Sequence, residues 1–322
     1  MDFSLETLTA AINELPHLPT QLGDSGLFEY DGVATLSIDI EKEGHTLSLV
    51  PTAARGAPGS AIGRSSRNVR PFRLAHLPLG DQIFADEVQG VRAFGTTGQA
   101  EPLQARLNKV LQIGVQRLDY TLEHMRVGAL KGIVYDSDGT TALHNFFTEF
   151  GVSQNTLDMV LDSAATEVRA KCDEVLDLIS DELGGQMFTG AVCWCGKDFW
   201  RTLITHKTVK ESYLGQAEAA QLRRAMPDSF DFGGITFRKY RGKVSGSDMI
   251  GTNDGYVVPT GVPGLLIGRF GPANYNETVN TMGLPMYAKG IEKRNGTGWD
   301  VEMQSNPIHV LTRPRAVIKV TV

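Results

Sequence analysis

Residues 102–131 read PLQARLNKVLQIGVQRLDYTLEHMRVGALK and carry the strongest helix signal in the chain. Pro102 suits the first turn of a helix, and Gly132 suits its end. At 1.5 Å per residue such a helix would be roughly 45 Å long, which is long for a globular domain of this size. Its apolar residues recur on one stripe at spacings of three and four: Leu103, Leu107, Val110, Leu111, Gly114, Leu118, Leu122, Met125 and Ala129.

One residue of that stripe has no side chain. Gly114 costs about 1 kcal/mol relative to Ala inside a helix. The close approach of a strand would justify it, and so would a bend in the helix. The sequence leaves both explanations open.

The residues after this helix predict a hairpin and then a second helix. Residues 133–150 indicate strand, turn and strand, with the turn at Asp136–Gly139. The second helix is predicted over 157–183 and would end at Gly184-Gly185. Its outer face is acidic and would include Asp158, Asp162, Asp173, Asp177 and Asp181. From residue 187 onward short strands and turns dominate.

The residues before the long helix differ from the rest in composition. Residues 1–32 indicate an arm with one short amphipathic helical turn, and residues 33–50 alternate as a hairpin would. No Asp or Glu occurs from His45 to Gly80, although the chain as a whole carries a net charge of -6. A long stretch without a core of its own is typical of a functional loop or of disorder. The basic residues of this stretch are Arg55, Arg64, Arg67, Arg70 and Arg73.

Three interpretations of this arginine-rich loop are open. It is a solvated loop, a nucleic-acid contact, or a loop that docks on an acidic surface of another copy of the chain. The last is favoured, because the guanidinium fork binds carboxylates in a bidentate manner. The acidic second helix would supply such a surface.

Charge and composition exclude several classes of protein. The chain has 31 Lys and Arg against 37 Asp and Glu, which argues against a generic nucleic-acid coat. Its three cysteines do not make a disulfide scaffold. It has no run of 18 apolar residues, and the first residues lack the pattern of a secretory signal, so neither a membrane span nor a leader is expected.

Residues 133–140 resemble the nucleophile motif of haloacid-dehalogenase-type phosphohydrolases. There the first aspartate, Asp136 in this chain, would attack phosphorus, and Asp138 would act as acid and base. The long helix stands where an early strand of a doubly wound sheet is needed, and no alternating strand–helix units follow. A hairpin turn explains the Asp-Gly pair better.

Two further motifs are also better explained by structure than by chemistry. Residues 190–197 have the wrong glycine spacing for a phosphate-binding loop, and Asp198 would repel phosphate. Cys193 and Cys195 lie on one face of a strand, and a zinc site would need more ligands than His206 can add. We expect buried structural thiols, no metal and no cofactor.

Several stretches, in order along nearly the whole chain, resemble the phage capsid protein E family, the major capsid proteins of lambda-like tailed phages. They are Phe84–Gly90, Phe147–Gly151, Cys195–Trp200 with His206, Pro263–Ala273, Asn276–Thr281, Gln304–Pro307 and Thr312–Ala316.

This resemblance implies the α+β Hong Kong 97-type (Johnson) capsid fold. The implied parts are an N-terminal arm (1–32), an extended loop and connection (33–98), a peripheral domain with the spine helix (99–152), an axial domain (153–298) and returning C-terminal strands of the peripheral domain (299–322).

The resemblance also implies a function. Copies of the chain would form hexamers and pentamers and close into an icosahedral shell around double-stranded phage DNA, without sequence-specific binding and without catalysis. Decoration protein, scaffold and portal are further expected partners, and no membrane is. The expected location is the virion, after assembly in the host bacterial cytoplasm. A phage-derived nanocompartment shell is an alternative that the chain itself does not distinguish.

Overall fold

The computed structural model describes residues 4–42, 68–88, 103–214 and 228–322. The chain divides into two compact units, and each is built from segments that are far apart in sequence. The first unit comprises Met1–Ile38, Pro71–Arg126 and Ile267–Val310. The second unit comprises Asp39–Arg70, Val127–Leu266 and Leu311–Val322.

The long helix forms as predicted, and it is continuous from Leu103 to Lys131. None of the helices in the described ranges is both long and apolar enough to cross a membrane. The helices are α1 (Leu5–Glu14), α2 (Ala85–Val88), α3 (Leu103–Lys131), α4 (Phe146–Phe150), α5 (Val168–Leu183), α6 (Lys197–Thr205) and α7 (Lys207–Leu214).

The strands are short and belong to several sheets. They are β1 (Glu29–Gly32), β2 (Ser37–Lys42), β3 (Asn68–Arg73), β4 (Leu77–Phe84), β5 (Ile133–Tyr135), β6 (Ala142–Asn145), β7 (Thr156–Asp158), β8 (Gly190–Cys195), β9 (Ser229–Phe232), β10 (Ile235–Lys239), β11 (Lys243–Val244), β12 (Ser247–Asp248), β13 (Asp254–Thr260), β14 (Leu266–Phe270), β15 (Tyr287–Glu292), β16 (Gly298–Ser305), β17 (Pro307–Leu311) and β18 (Ile318–Thr321).

The core of the first unit lies between the apolar stripe of α3 and a three-stranded antiparallel sheet in the order β15-β16-β4. Gly114 allows this sheet to come close, because a Cβ at that position would lie 2.2 Å from Met303 Sδ. The Met303 side chain of β16 therefore takes the space that a side chain at position 114 would need, which explains the glycine. The core side chains are Leu8, Ile12, Ile83, Leu107, Val110, Leu111, Val115, Leu118, Leu122, Phe270, Met286, Ala288, Val301 and Met303.

The N-terminal segment packs on its own unit. Ser4 caps α1, and Leu8 and Ile12 on the buried face of α1 belong to the core. Strand β1 pairs in parallel with β14, in a sheet ordered β1-β14-β17. Residues 4–32, the described part of the predicted arm, therefore group with the first unit. Leu22 and Phe28 of this segment are buried, and their spacing follows neither a helical nor a strand period.

The second unit is built on a six-stranded mixed sheet in the order β7-β18-β13-β8-β10-β9. Its central strand β8 pairs with β10 in parallel and with β13 antiparallel. Helices α5 and α6 each bury one apolar face in this unit. Their buried residues are Val168, Cys172, Val175, Ile179 and Leu183 on α5, and Phe199, Trp200 and Leu203 on α6.

The predicted helix over 157–183 is wrong in its first third. Residues 156–158 form strand β7, which pairs in parallel with β18. Val160 has a left-handed backbone (φ 49°), and its N–H donates to Asp158 Oδ1 at 2.9 Å. The buried residues of this stretch, Leu157, Met159 and Leu161, alternate with a period of two. They also fit a helical stripe with later residues, so the sequence pattern was ambiguous here.

The two units also divide the chain differently from the predicted domains. Residues 267–298 were predicted in the axial domain but group with α3 in the first unit. Residues 311–322 were predicted to return to the domain of the long helix. They group with the second unit instead, because β18 fills the place between β7 and β13 in its sheet.

The first strand of the hairpin predicted over 33–50 is present as β2. Strand β2 pairs with β3, which is more than 25 residues later in the chain, in a two-stranded sheet. The predicted partner, residues 46–50, and most of the arginine-rich loop lie outside the described residues. Alternation in the sequence located β2 but did not identify its partner.

Replacing Gly114 by Ala tests the close approach of β16. Ala raises helix propensity by about 1 kcal/mol, but its methyl group would overlap Met303, which costs about 1–3 kcal/mol. We expect a net loss of unfolding free energy, measured by urea denaturation. In the Gly114→Ala/Met303→Ala double variant the loss should be at least about 1 kcal/mol smaller than the sum of the two single losses. Additive losses would show that the two positions do not compete for space.

Candidate functional site

A row of charged side chains on α3 is buried beneath the N-terminal segment. Asp119 and Glu123, both 5% exposed, stand one helical turn apart. Asp119 Oδ2 accepts the N–H of Leu18 at 2.8 Å. Glu123 accepts the N–H groups of Leu22, at 2.8 Å, and of Gly23, at 3.1 Å. The two carboxylates therefore hold the backbone of a segment that is about a hundred residues away in sequence.

Arg126 completes this buried polar row (Asp119, Glu123 and Arg126). Its Nη1 lies 3.4 Å from Glu123 Oε2, and its Nε donates a hydrogen bond to Tyr30 Oη at 2.6 Å. The guanidinium also lies 5.6 Å from the centroid of the Tyr30 ring. Burial raises the pKa of the Tyr30 hydroxyl, so it stays protonated near neutral pH. One cation thus balances Glu123 and positions strand β1.

His309 on β17 lies beside this row and is 1% exposed. Its ring packs edge-on against Phe28 at 5.5 Å and Tyr30 at 6.0 Å. Neither ring nitrogen has a hydrogen-bond partner within the described part of the chain. Burial, and then the positive charge of Arg126, hold the pKa of His309 well below its usual value of 6.5. The imidazole is therefore neutral, and a proton on it would be repelled by Arg126.

The sequence did not reveal this site. Asp119, Glu123 and Arg126 fall on the polar side of the α3 stripe, where solvent exposure is the ordinary expectation. Their burial depends on residues 17–30, which pack across them. The available signal was their i, i+4 and i+7 spacing, which places all three on one side of α3, but solvated helix faces share that spacing.

The five predicted loop arginines lie in or between strands β2 and β3. Arg55, Arg64 and Arg67 are outside the described residues. Arg70 and Arg73 belong to β3, where Arg70 is partly buried. The structure therefore places the end of the basic stretch on a strand pair, and it leaves the docking prediction untested.

The five predicted acidic residues all belong to the second unit and are exposed, but they do not share one helix. Asp158 ends β7 and Asp162 lies in the turn that follows. Asp173, Asp177 and Asp181 lie on α5 at spacings of four, along one exposed side. Like charges at this spacing destabilise an isolated helix by a few tenths of a kcal/mol per pair. Of the five predicted residues, Asp173, Asp177 and Asp181 therefore share one side of α5.

The hairpin explanation of the Asp-Gly motif is confirmed. Strands β5 and β6 pair antiparallel on either side of it. Asp138 accepts the N–H groups of Thr140 and Thr141 and the hydroxyl of Thr141, which together hold its pKa far below the usual value. Such a carboxylate shapes a turn and is a poor proton donor for catalysis. Asp136 accepts the N–H of Ser137, and both Asp136 and Asp138 are exposed.

The cysteines are buried free thiols, as predicted. Cys193 and Cys195 have their sulfurs 3.5 Å apart, and burial raises the pKa of Cys172 to about 12. His206 bonds instead to Thr208 Oγ1 and the carbonyl of Ser163, both at 2.9 Å. Among the described residues there is no cluster of three or more His, Cys, Asp or Glu side chains that could hold a metal ion.

Comparison with known proteins agrees with this architecture. The model of the family described as phage major capsid protein E matches residues 4–322. A major capsid protein of Pseudomonas phage KPP10 is 26% identical over 99% of this chain and 96% of its own length.

Solved structures show the same fold. A prophage protein of Escherichia coli CFT073, assigned as a capsid protein, superposes with a TM-score of 0.59 at 16% identity and covers 100% of this chain and 99% of its own. The mature capsid of bacteriophage PhiM1 superposes with a TM-score of 0.53 at 10% identity over 96% and 88% of the two chains. The predicted Hong Kong 97-type fold is thereby confirmed.

Replacing Glu123 by Ala tests the role of the buried polar row. The change would leave two buried N–H groups and the Arg126 charge without their acceptor, which costs about 3 kcal/mol. We expect that loss in urea unfolding, together with faster proteolysis within residues 16–28. Glu174→Ala is the matched control. It removes an exposed carboxylate paired with Lys171 at 2.8 Å, and should cost less than about 1 kcal/mol. Equal losses in the two variants would contradict the assignment.

The buried His309 predicts a dependence of stability on pH. Its pKa is lowered in the folded state, so its contribution is fully present above about pH 6.5 and is lost as the pH falls below that value. The unfolding free energy should therefore fall by up to about 1.4 kcal/mol per pH unit between pH 6.5 and 5 through this residue. The slope should be shallower in His309→Leu than in the wild type. Identical slopes would show that His309 titrates normally.

Proposed function

The chain belongs to the phage major capsid protein E family, and from this membership we propose how it builds a virion shell. It is a major capsid protein of the tailed-phage type, and many copies of it form the capsid. The observation that carries this conclusion is the family match over residues 4–322. The likeness of the whole chain to a solved prophage capsid protein supports it.

We propose that the first unit is the peripheral domain of the subunit and that the second unit is the axial domain. The first unit contains most of α3 and the long antiparallel strands β4 and β16. The second unit contains the six-stranded sheet and the acidic helix α5. Copies would then form hexamers and pentamers in a closed icosahedral shell. In such a shell each weak contact is repeated by symmetry, so small interfaces are sufficient.

The arginine-rich loop between β2 and β3 is proposed to dock on the acidic side of α5 in a neighbouring copy. Three aspartates along one helix side are costly in an isolated subunit, and arginines of another copy would relieve that repulsion. This contact fits an acidic chain whose longest stretch without Asp or Glu, residues 44–80, includes most of this loop.

The shell is proposed to enclose double-stranded DNA without gripping it. A chain with net charge -6 does not neutralise phosphate in bulk, which suits a genome that must be packed and released. Decoration protein, scaffold and portal are proposed as further partners, and the host bacterial cytoplasm as the place of assembly. The family and the solved neighbours are structural shell proteins, and we propose that this chain also lacks catalytic activity. The phosphohydrolase alternative has no support.

Electron microscopy of the purified full-length chain tests the function directly. Closed particles of uniform size are the expected result, with a sedimentation coefficient far above that of a 35.0 kDa monomer. Asp136→Asn should assemble equally well, because Asn also suits a turn. Monomers under every ionic condition would overturn the proposal. Protein cargo in place of DNA in native particles would favour the nanocompartment alternative.

Charge reversal tests the loop contact. Arg64→Glu, Arg67→Glu and Arg70→Glu together should reduce particle yield at least tenfold and leave the circular dichroism of the subunit unchanged. Adding Asp173→Lys, Asp177→Lys and Asp181→Lys should restore part of the yield, because the charges are then exchanged between the two surfaces. Loss of assembly without any rescue would place the loop against a different surface.

A further inference from the structure

One loop of the first unit exposes apolar side chains that face solvent. It runs from residue 276 to residue 286, between β14 and β15. Val279 is 64% exposed, Met282 60% and Leu284 45%. Exposed single apolar residues are ordinary on proteins, but three within six residues are not.

The backbone of this loop is fixed by hydrogen bonds. The Thr278 hydroxyl donates to the carbonyl of Ala273 at 2.6 Å, and the Thr281 hydroxyl donates to the carbonyl of Thr278 at 2.9 Å. The Tyr287 hydroxyl accepts the N–H of Leu284 at 2.9 Å. The loop is therefore held in one shape, although Val279, Met282 and Leu284 are largely exposed.

The loop is also held against the segment that precedes β2. The Gly283 N–H donates to the carbonyl of Val33 at 3.1 Å. A Cβ at Gly283 would lie 1.9 Å from the carbonyl oxygen of Phe270, so only glycine allows this approach. Gly271 follows Phe270 in the chain, and a Cβ at Gly271 would lie 3.3 Å from the carbonyl oxygen of Thr35.

Leu36 follows Val33 by three residues in sequence, and it is 72% exposed. We call Leu36, Val279, Met282 and Leu284 the apolar patch. Residues 33–38 and 278–286 contain no charged side chain. Each of the four residues is at least 45% exposed, and a standard interface buries ~800 Å² of surface on each partner.

We propose that the apolar patch is a contact surface for a second copy of this chain. The inference rests on the proposed function, because assembly into a shell requires each subunit to contact other copies. Interface centres are depleted in charge and enriched in apolar side chains, as this patch is. A backbone ordered before binding lowers the entropy that association would otherwise lose. Nucleic acid does not fit, because it needs cations that these two segments lack.

The variant Val279→Asp/Met282→Asp tests the patch. It should remain folded, because both side chains face solvent, and it should reduce particle yield at least tenfold. The matched control at the same positions is Val279→Ile/Met282→Leu, which keeps the apolar surface and should assemble like the wild type. Normal particles from the Asp variant would overturn the inference. Failure of the wild-type chain to assemble would instead count against the proposed function, so the two failures are distinguishable.

Cysteine labelling gives a second, independent measurement. Cys172, Cys193 and Cys195 are buried, so a Met282→Cys variant carries one accessible thiol among the described residues. In particles its reaction with a small maleimide should be at least tenfold slower than in dissociated subunits. Equal rates would overturn the inference. A thiol that is open in bare shells and protected only after an accessory protein is added would also overturn it.

Discussion

The packing of the α3 stripe against the β15-β16-β4 sheet is the interaction on which the first unit depends. A helix of 29 residues offers a long apolar surface, and the sheet that covers it is drawn from residues 77–84 and 287–305. Because the core side chains of α3 pack with strands from distant parts of the chain, we expect no single segment of this unit to be stable alone. The missing side chain at Gly114 is a consequence of this packing, since Met303 occupies its place.

The buried polar row gives the same helix a second role, which is to position the N-terminal segment. Apolar packing alone would not fix the position of residues 17–30, because their apolar side chains are scattered. Asp119 and Glu123 specify that position by accepting backbone N–H groups, which have direction and spacing. Arg126 keeps the row from being an uncompensated negative charge. An N-terminal segment ordered within its own subunit leaves the loop between β2 and β3, and the apolar patch, as the surfaces proposed for contacts with other copies.

The errors of the sequence prediction share one cause. The helix predicted over 157–183 combined a strand and a helix, because the apolar residues of the strand also fit the helical period. The pairing of β7 with β18 shows that the first of these segments is a strand. The alternation over 33–50 located β2 but did not indicate its pairing with β3, which lies much later in the chain. In both cases the pattern described a local preference correctly, while the partner came from a distant part of the chain.

The amino-acid sequence by itself determined α3, the Asp138 turn, the buried thiols and, through ordered resemblance along the chain, the capsid family. These features depend on local periodicity, on turn chemistry or on residues that can be compared one by one. Only the tertiary structure decided that residues 4–32 fold back on their own unit, that residues 311–322 complete the sheet of the second unit, and that Asp119, Glu123 and Arg126 are buried. Burial and strand pairing are properties of two segments together, and the sequence of one segment does not contain the position of the other.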